Sequence, residues 1–163
     1  MLGVDLQILT PQTAILSLLR LTQLMRYILA GLDQRYGWTG GFPAALQAAA
    51  GLLCALGYAL FIWAMASNDF FSQVVRIQSE RGHTVAAGGP YRFIRHPAYL
   101  GVIFYELFVA VLLASWPALI VGGLNTLLVI LRTSLEDHTL QAELDGYGDY
   151  ARRVRWRLLP GIW

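Results

Sequence analysis

No charged residue occurs between Arg35 and Asp69. Within that gap "FPAALQAAAGLLCALGYALFIWAMA", Phe42 to Ala66, is apolar on every face. At about 1.5 Å per residue it crosses a hydrocarbon layer of about 30 Å as one helix. Pro43 suits the first turn, where its missing N–H costs nothing, and Ala48, Ala49, Ala50 and Gly51 are expected to give a close-packing face. From Pro97 to Leu131 the only charge is Glu106. One helix over that stretch would reach about 50 Å, too long for a bilayer. Ser115-Trp116-Pro117 supplies a break, since the residue before proline avoids helix and tryptophan favours the membrane interface. The pattern predicts a hairpin, Ala98 to Ala114 and Pro117 to Leu131. A further apolar stretch, Leu6 to Leu32, is interrupted by Arg20 and Arg26, and an arginine at the bilayer centre costs about 2.5–3.5 kcal/mol. It is expected either to span with Arg20 facing other helices or to lie in the interface.

These elements predict an all-α membrane protein of about four transmembrane helices, forming one domain over residues 1–163. Two polar segments remain, 67–97 and 132–163. The second reads as a helix from Thr133 to Leu144 with Glu136 and Leu140 on one face, then a Gly-Tyr-Gly break and a basic, aromatic end, Arg152 to Trp163, suited to anionic head groups. Arg76, Arg81, Arg92 and Arg95 fall in the first polar segment, and Arg132, Arg152, Arg153, Arg155 and Arg157 in the second, against Arg35 alone in the other connection. The positive-inside rule therefore predicts both segments on the cytoplasmic face of a multi-pass protein, at the inner membrane if the source is bacterial. Placed together, they are expected to build one site.

Composition agrees: 56% of the 163 residues are hydrophobic and 13% charged, against roughly 25% charged in soluble domains. All 12 basic residues are arginine, the formal charge is +2, and no long basic run exists, which argues against nucleic-acid binding. Cys54 is the single cysteine, and His83, His96 and His138 are scattered, so a metal-free mechanism is expected. The first residues, with Asp5 ahead of the apolar run, do not read as a cleaved signal peptide.

The candidate chemistry lies in "GGPYRFIRHPAYLG", Gly88 to Gly101. With Pro97 as the first helical residue, the N–H groups of Ala98, Tyr99 and Leu100 would point outward as an anion site. Arg95 and His96 would add donors, and Gly88 and Gly89 would let the backbone approach a ligand. Glu136 and Asp137 carry the sign that complements a cation. Glu106, two turns into a predicted span, is a functional candidate by position, with an interhelical partner such as Arg20 or a lipid-facing cavity as the structural alternative. Asn68, Asn125, Gly122 and Gly123 read as turn or packing residues.

Taken together, "SNDFFSQVVRIQSERGHTVAAGGPYRFIRHPAYLG", the apolar hairpin, "LEDHTL" and "YGDYARRVRWRLLP" resemble the isoprenylcysteine carboxyl methyltransferase family and its phospholipid methyltransferase relatives. The likeness runs from Asn68 to Pro160. It implies an integral-membrane enzyme that uses S-adenosyl-L-methionine, held in a cytoplasmic pocket between the loop and the C-terminal tail, to methylate a lipophilic acceptor in the bilayer: an isoprenylcysteine-like carboxylate, a thiol or a lipid head group. His83, Val85, Gly89 and Pro90 would shape the adenosine pocket. Arg95, His96 and Pro97 would meet the cofactor's carboxylate, and Glu136, Asp137, Tyr91 and Tyr99 its cationic end. Glu136, Arg153 and Tyr150 are the catalytic candidates, the last two for holding the acceptor's polar end. The chain departs from the family in having Asp137 and Glu143-Leu144 where a second glutamate and a Phe-Gly pair are common. Two other classes compete: an NADPH-dependent reductase, because sterol reductases share an RHP-x-Y pattern, though with Asn after the proline where Ala98 stands, and a non-catalytic lipid-binding membrane module.

Overall fold

The computed structural model of the chain describes residues 11–72 and 77–163. Residues 6–10 of the first apolar stretch, Asp5 and Arg76 lie outside these. Among the described residues the chain is helical, with no strand: α1 is Pro11–Tyr36, α2 Ala44–Ala66, α3 Pro97–Leu112, α4 Trp116–Glu143 and α5 Tyr147–Arg153, with short 3-10 turns at Ser79–Arg81 and Gly89–Arg92. α1, α2 and α4 are long and apolar enough to cross a membrane, while α3, at 16 residues, falls short of that length.

The four long helices run alternately up and down, with α2 packed on α3, α3 on α4, and α4 on α1. At one end, Gln34 of α1 donates to the Leu113 carbonyl at 3.0 Å and Thr39 accepts from the Trp116 N–H at 3.0 Å. At the other end lie the 67–96 loop and α5. The predicted hairpin is present, and its break forms as the residues dictate: the Ser115 side chain accepts from the Ala118 N–H at 3.3 Å, and Pro117 occupies the first turn of α4. The separate tail helix is not: α4 continues unbroken through Arg132 to Glu143. Arginine is a good helix former, and the Arg132 side chain, buried at 4% exposure, donates to the Tyr99 hydroxyl at 2.8 Å.

Small residues set the helix spacing, at positions other than those expected. Ala48 and Ala49 are exposed, and the buried stripe of α2 is Ala50, Cys54, Gly57 and Ala64, one face of a 3.6-residue period. A Cβ on Gly57 would lie 2.8 Å from the Gly101 carbonyl oxygen, and one on Gly101 would lie 2.5 Å from that of Gly57, so α2 and α3 cross backbone to backbone. Gly122 meets the Glu106 carbonyl in the same way across α3 and α4, whereas Gly123 has nothing near it.

α1 is polar inside and apolar outside. Its buried residues are Thr22, Arg26, Ala30 and Asp33, while Leu18, Leu21, Leu24, Met25 and Ile28 are exposed. Lipid is as good a solvent for leucine as a protein core, so the inward stripe is free to carry polar groups that find partners. Arg26 pairs with Glu106, and Asn125 donates to that carboxylate at 2.7 Å while accepting from Thr22 at 2.6 Å. Arg20, the expected partner of Glu106, instead lies six residues before Arg26, at an exposed position on the wall of the cavity described below. Arg26 has the rotation around α1 that faces α3.

Candidate functional site

The loop and tail converge on one cavity of about 360 Å³. Its wall draws on every helix: Leu16, Leu19, Arg20 and Gln23 from α1, Phe61 from α2, Tyr99, Val102 and Glu106 from α3, Arg132, Glu136 and Leu140 from α4, and Tyr147 and Tyr150 from α5. The loop closes it with Asn68, Phe70, Phe71, His83, Val85 and Tyr91. A second cleft of about 310 Å³, lined by Gln23, Tyr58, Phe61, Gly101, Val102, Tyr105 and Glu106, shares four of those residues with the first cavity, Gln23, Phe61, Val102 and Glu106.

Of the candidate residues, His83, Val85, Tyr91, Arg95, His96, Tyr99, Glu136 and Tyr150 line the first cavity, and Gly89, Pro90, Pro97, Asp137 and Arg153 do not. Asp137 is fully buried behind the wall. It accepts from Arg95 at 3.2 Å, His96 Nε2 at 3.2 Å, the Tyr147 hydroxyl at 2.9 Å, Gln141 at 2.7 Å and Arg157 at 2.8 Å. One carboxylate thus ties the start of α3 to α4, α5 and the tail. Arg95 also donates to the Ala151 and Val154 carbonyls at 3.3 and 3.5 Å, so its guanidinium is engaged by protein. The backbone adds two rungs: the Arg95 N–H bonds the Trp156 carbonyl and the His96 N–H that of Arg157, each at 2.9 Å. Nor is the helix start wholly open, since the Leu100 N–H reaches the His96 carbonyl at 3.3 Å.

Of the adjacent acids Glu136 and Asp137, Glu136 is the one that faces the cavity. Tyr99 donates to its Oε2 at 2.5 Å, and His96 Nδ1 stands 4.0 Å from Oε1. His96 therefore sits between the buried Asp137 and the open Glu136. The remaining walls are largely aromatic and aliphatic. Burial, then the facing Asp137 carboxylate, holds the Tyr147 phenol above its usual range, and burial raises Tyr91 and Tyr150 likewise, so all three are neutral donors at pH 7. Tyr150 donates to the Tyr91 carbonyl at 2.8 Å, which leaves its ring but not its hydroxyl proton for a ligand.

Protein packing by itself calls for glycine at position 89. Gly89 has φ +52°, and a Cβ there would lie 2.9 Å from Ser67 Cβ and 3.2 Å from Trp63 Nε1, while Gly88 has nothing near. Arg153 is exposed on α5.

The sequence offered signals for some of the wall residues not named as candidates. Arg132 precedes Glu136 by one helical turn, hence the same face. Tyr147 sits in the Gly-Tyr-Gly break, and Phe70-Phe71 follow the turn residue Asn68. For Leu16, Leu19 and Gln23 no local signal exists, because only the packing of α1 brings them there.

The sequence profile of the isoprenylcysteine carboxyl methyltransferase (ICMT) family matches residues 49–142, more than half of the chain. Among curated proteins nothing matches.

Proposed function

The chain belongs to the isoprenylcysteine carboxyl methyltransferase family, and from that premise we propose that it is a membrane methyltransferase dependent on S-adenosyl-L-methionine, acting on a lipophilic acceptor drawn from the bilayer. The observation that carries this reading is Glu136, an acid on the wall of a cavity built jointly by loop and tail, where the rings of Phe70, Phe71, Tyr91 and Tyr99 stand with arginine and histidine side chains. That donor set suits a ligand with ammonium and sulfonium charges, for which carboxylate and aromatic faces are the matching groups. Glu136, Tyr91 and Tyr99 would hold the cationic end, and His83 and Val85 the adenosine. Arg95 and His96 are both bonded to Asp137, so Arg132 and the other ring nitrogen of His96, Nδ1, would meet the anionic end.

When bound, the cofactor supplies a methyl group already activated by its sulfonium leaving group, so displacement needs alignment and a dry site more than covalent help. The phenylalanines and tyrosines of the wall exclude water. The Asp137 junction keeps α5 and the tail closed over the start of α3. The second cleft, continuous in its lining residues with the first cavity, is the route by which an acceptor's head would reach Glu106 and then the cofactor. Residues 67–97 and 132–163 would be cytoplasmic parts of one domain, with the helices crossing the membrane several times.

The test is S-adenosyl-L-homocysteine binding to the protein in lipid nanodiscs, with transfer of a tritiated methyl group to lipid extract. Wild type should bind, and Glu136→Gln, which can still accept from Tyr99, should weaken binding about tenfold, or about 1.4 kcal/mol. No binding by wild type, or undiminished binding by a folded Glu136→Gln, would sink the proposal.

A further inference from the structure

We infer that Arg132 is a positioning residue for ligand recognition: through the Tyr99 hydroxyl it aims the Glu136 carboxylate at the ligand's ammonium group. The inference rests on the methyltransferase reading for the identity of the ligand, and it gives Arg132 a duty separate from any contact with the anionic end. Arg132 and Glu136 stand four residues apart on α4, hence on one face of that helix. Tyr99 of α3 is inserted between them. Arg132 Nε donates to the Tyr99 hydroxyl at 2.8 Å, and the hydroxyl donates to Glu136 Oε2 at 2.5 Å.

The order of donors along this chain is forced. A guanidinium N–H can only donate and a phenol carries one proton, so a hydroxyl that accepts from Arg132 must point its proton away from the guanidinium, and Glu136 is there to receive it. Without the arginine donor the hydroxyl can turn that proton elsewhere. The last torsion of a glutamate is broad, so an unanchored carboxylate samples several directions. Here Oε2 is fixed, and Oε1 is the oxygen presented to a ligand, with His96 Nδ1 4.0 Å away. Arg132 is 4% exposed and the Glu136 side chain 22%, so the anchor is dry while the group it aims is open. A carboxylate oriented in advance loses less of the binding energy to ordering.

The experiment measures, in nanodiscs holding the full chain, the affinities of S-adenosyl-L-homocysteine and of its deaminated analogue, which has hydrogen in place of the amine. Both ligands keep the carboxylate, so any direct contact of Arg132 with it cancels in their ratio. Wild type should prefer the amine-bearing ligand about tenfold, the size of one charged hydrogen bond. Tyr99→Phe, which keeps the ring, and Arg132→Met should each lower the preference to within about threefold, and the double variant should lower it no further. Arg132→Gln carries an N–H donor the same number of bonds from the backbone as Nε, and should keep most of the preference. Both Arg132 variants lose the guanidinium charge, so a role as a helix clamp or as a bare charge would affect them alike. A preference kept by folded Tyr99→Phe or Arg132→Met, a further loss in the double variant, or equal losses in Arg132→Met and Arg132→Gln overturns the inference. Tyr99→Phe removes no buried charge, and its result decides alone if the Arg132 variants do not fold. Equal affinity of wild type for the two ligands overturns this inference and leaves cofactor binding standing, whereas binding of neither overturns the methyltransferase reading on which it rests.

Discussion

Asp137 and Glu136 are neighbours in sequence with opposite duties. Successive helical residues point about 100° apart, so one carboxylate enters the cavity and the other enters the protein. Asp137 has no exposure and satisfies donors from Arg95, His96, Gln141, Tyr147 and Arg157. Asp137→Asn keeps the shape but removes the charge that faces two arginines, and breaking a buried pair in this way costs about 3–5 kcal/mol. The expected outcome is a fall of on the order of 10 °C in the midpoint of thermal unfolding in detergent. Asp145→Asn, at an exposed position, serves as the control and should leave the midpoint unchanged. An unchanged midpoint for Asp137→Asn would show that the junction is not what holds the tail.

At the scale of elements, the α2–α3 crossing depends on two glycines. In Gly101→Ala the new methyl would meet the Gly57 carbonyl at 2.5 Å and the Phe61 backbone nitrogen at 2.9 Å, groups that cannot swing aside. The helices must part, and a loss of about 1–3 kcal/mol is expected from such overpacking. Gly123→Ala, with nothing within 4 Å, should be neutral or slightly stabilising by helix propensity. Comparing the two by thermal unfolding separates tight crossing from a general dislike of alanine. The loop over the cavity gives a pH prediction. His83 accepts from the Gln78 N–H at 3.2 Å through Nδ1 and stacks on Phe70 at 4.5 Å. Burial, then Arg81, lowers its pKa below the ordinary 6.5. The opened loop therefore binds the proton more readily than the closed one. The closed loop is favoured fully above about pH 6.5, and that advantage is lost as pH falls from there toward the lowered value. Ligand affinity in the cavity should drop over that window in wild type, and His83→Gln should flatten the slope. A slope that His83→Gln leaves untouched would assign it to another group.

The apolar runs and the Ser115-Trp116-Pro117 break made the helices and the hairpin legible, because both signals are local. The unbroken passage of α4 through Arg132 was not, since the partner that receives this buried charge, Tyr99, is distant in sequence. The choice of Arg26 over Arg20 for Glu106 turns on the rotation of α1, which leucines facing lipid do not reveal. The spacing of Thr22, Arg26 and Asp33 marks the inward face once lipid is taken as the outer solvent. At the site, the sequence could say that loop and tail carry complementary groups but not which of Glu136 and Asp137 faces the ligand.

On the scale of the whole molecule, charge and cavity sit at the same end. Arg81, Arg92, Arg132 and the four arginines of the tail belong to the loop-and-tail end, and Arg35 stands at the other. Insertion by arginine count would then place the cavity's polar mouth in the cytoplasm, where a soluble nucleoside cofactor is at hand, while α1 and α2 keep their leucines in lipid. The two ends can be told apart chemically, since Cys54 is the single cysteine and is buried. In a Cys54→Ser background, Trp38→Cys marks the α1–α2 connection and Glu80→Cys the loop, both at exposed positions. A membrane-impermeant maleimide added to intact cells should label Trp38→Cys at once and Glu80→Cys only after permeabilisation. The reverse pattern would put the cavity outside the cell, out of reach of a cytoplasmic methyl donor, and would count against the proposed reaction as directly as a failure to bind the cofactor.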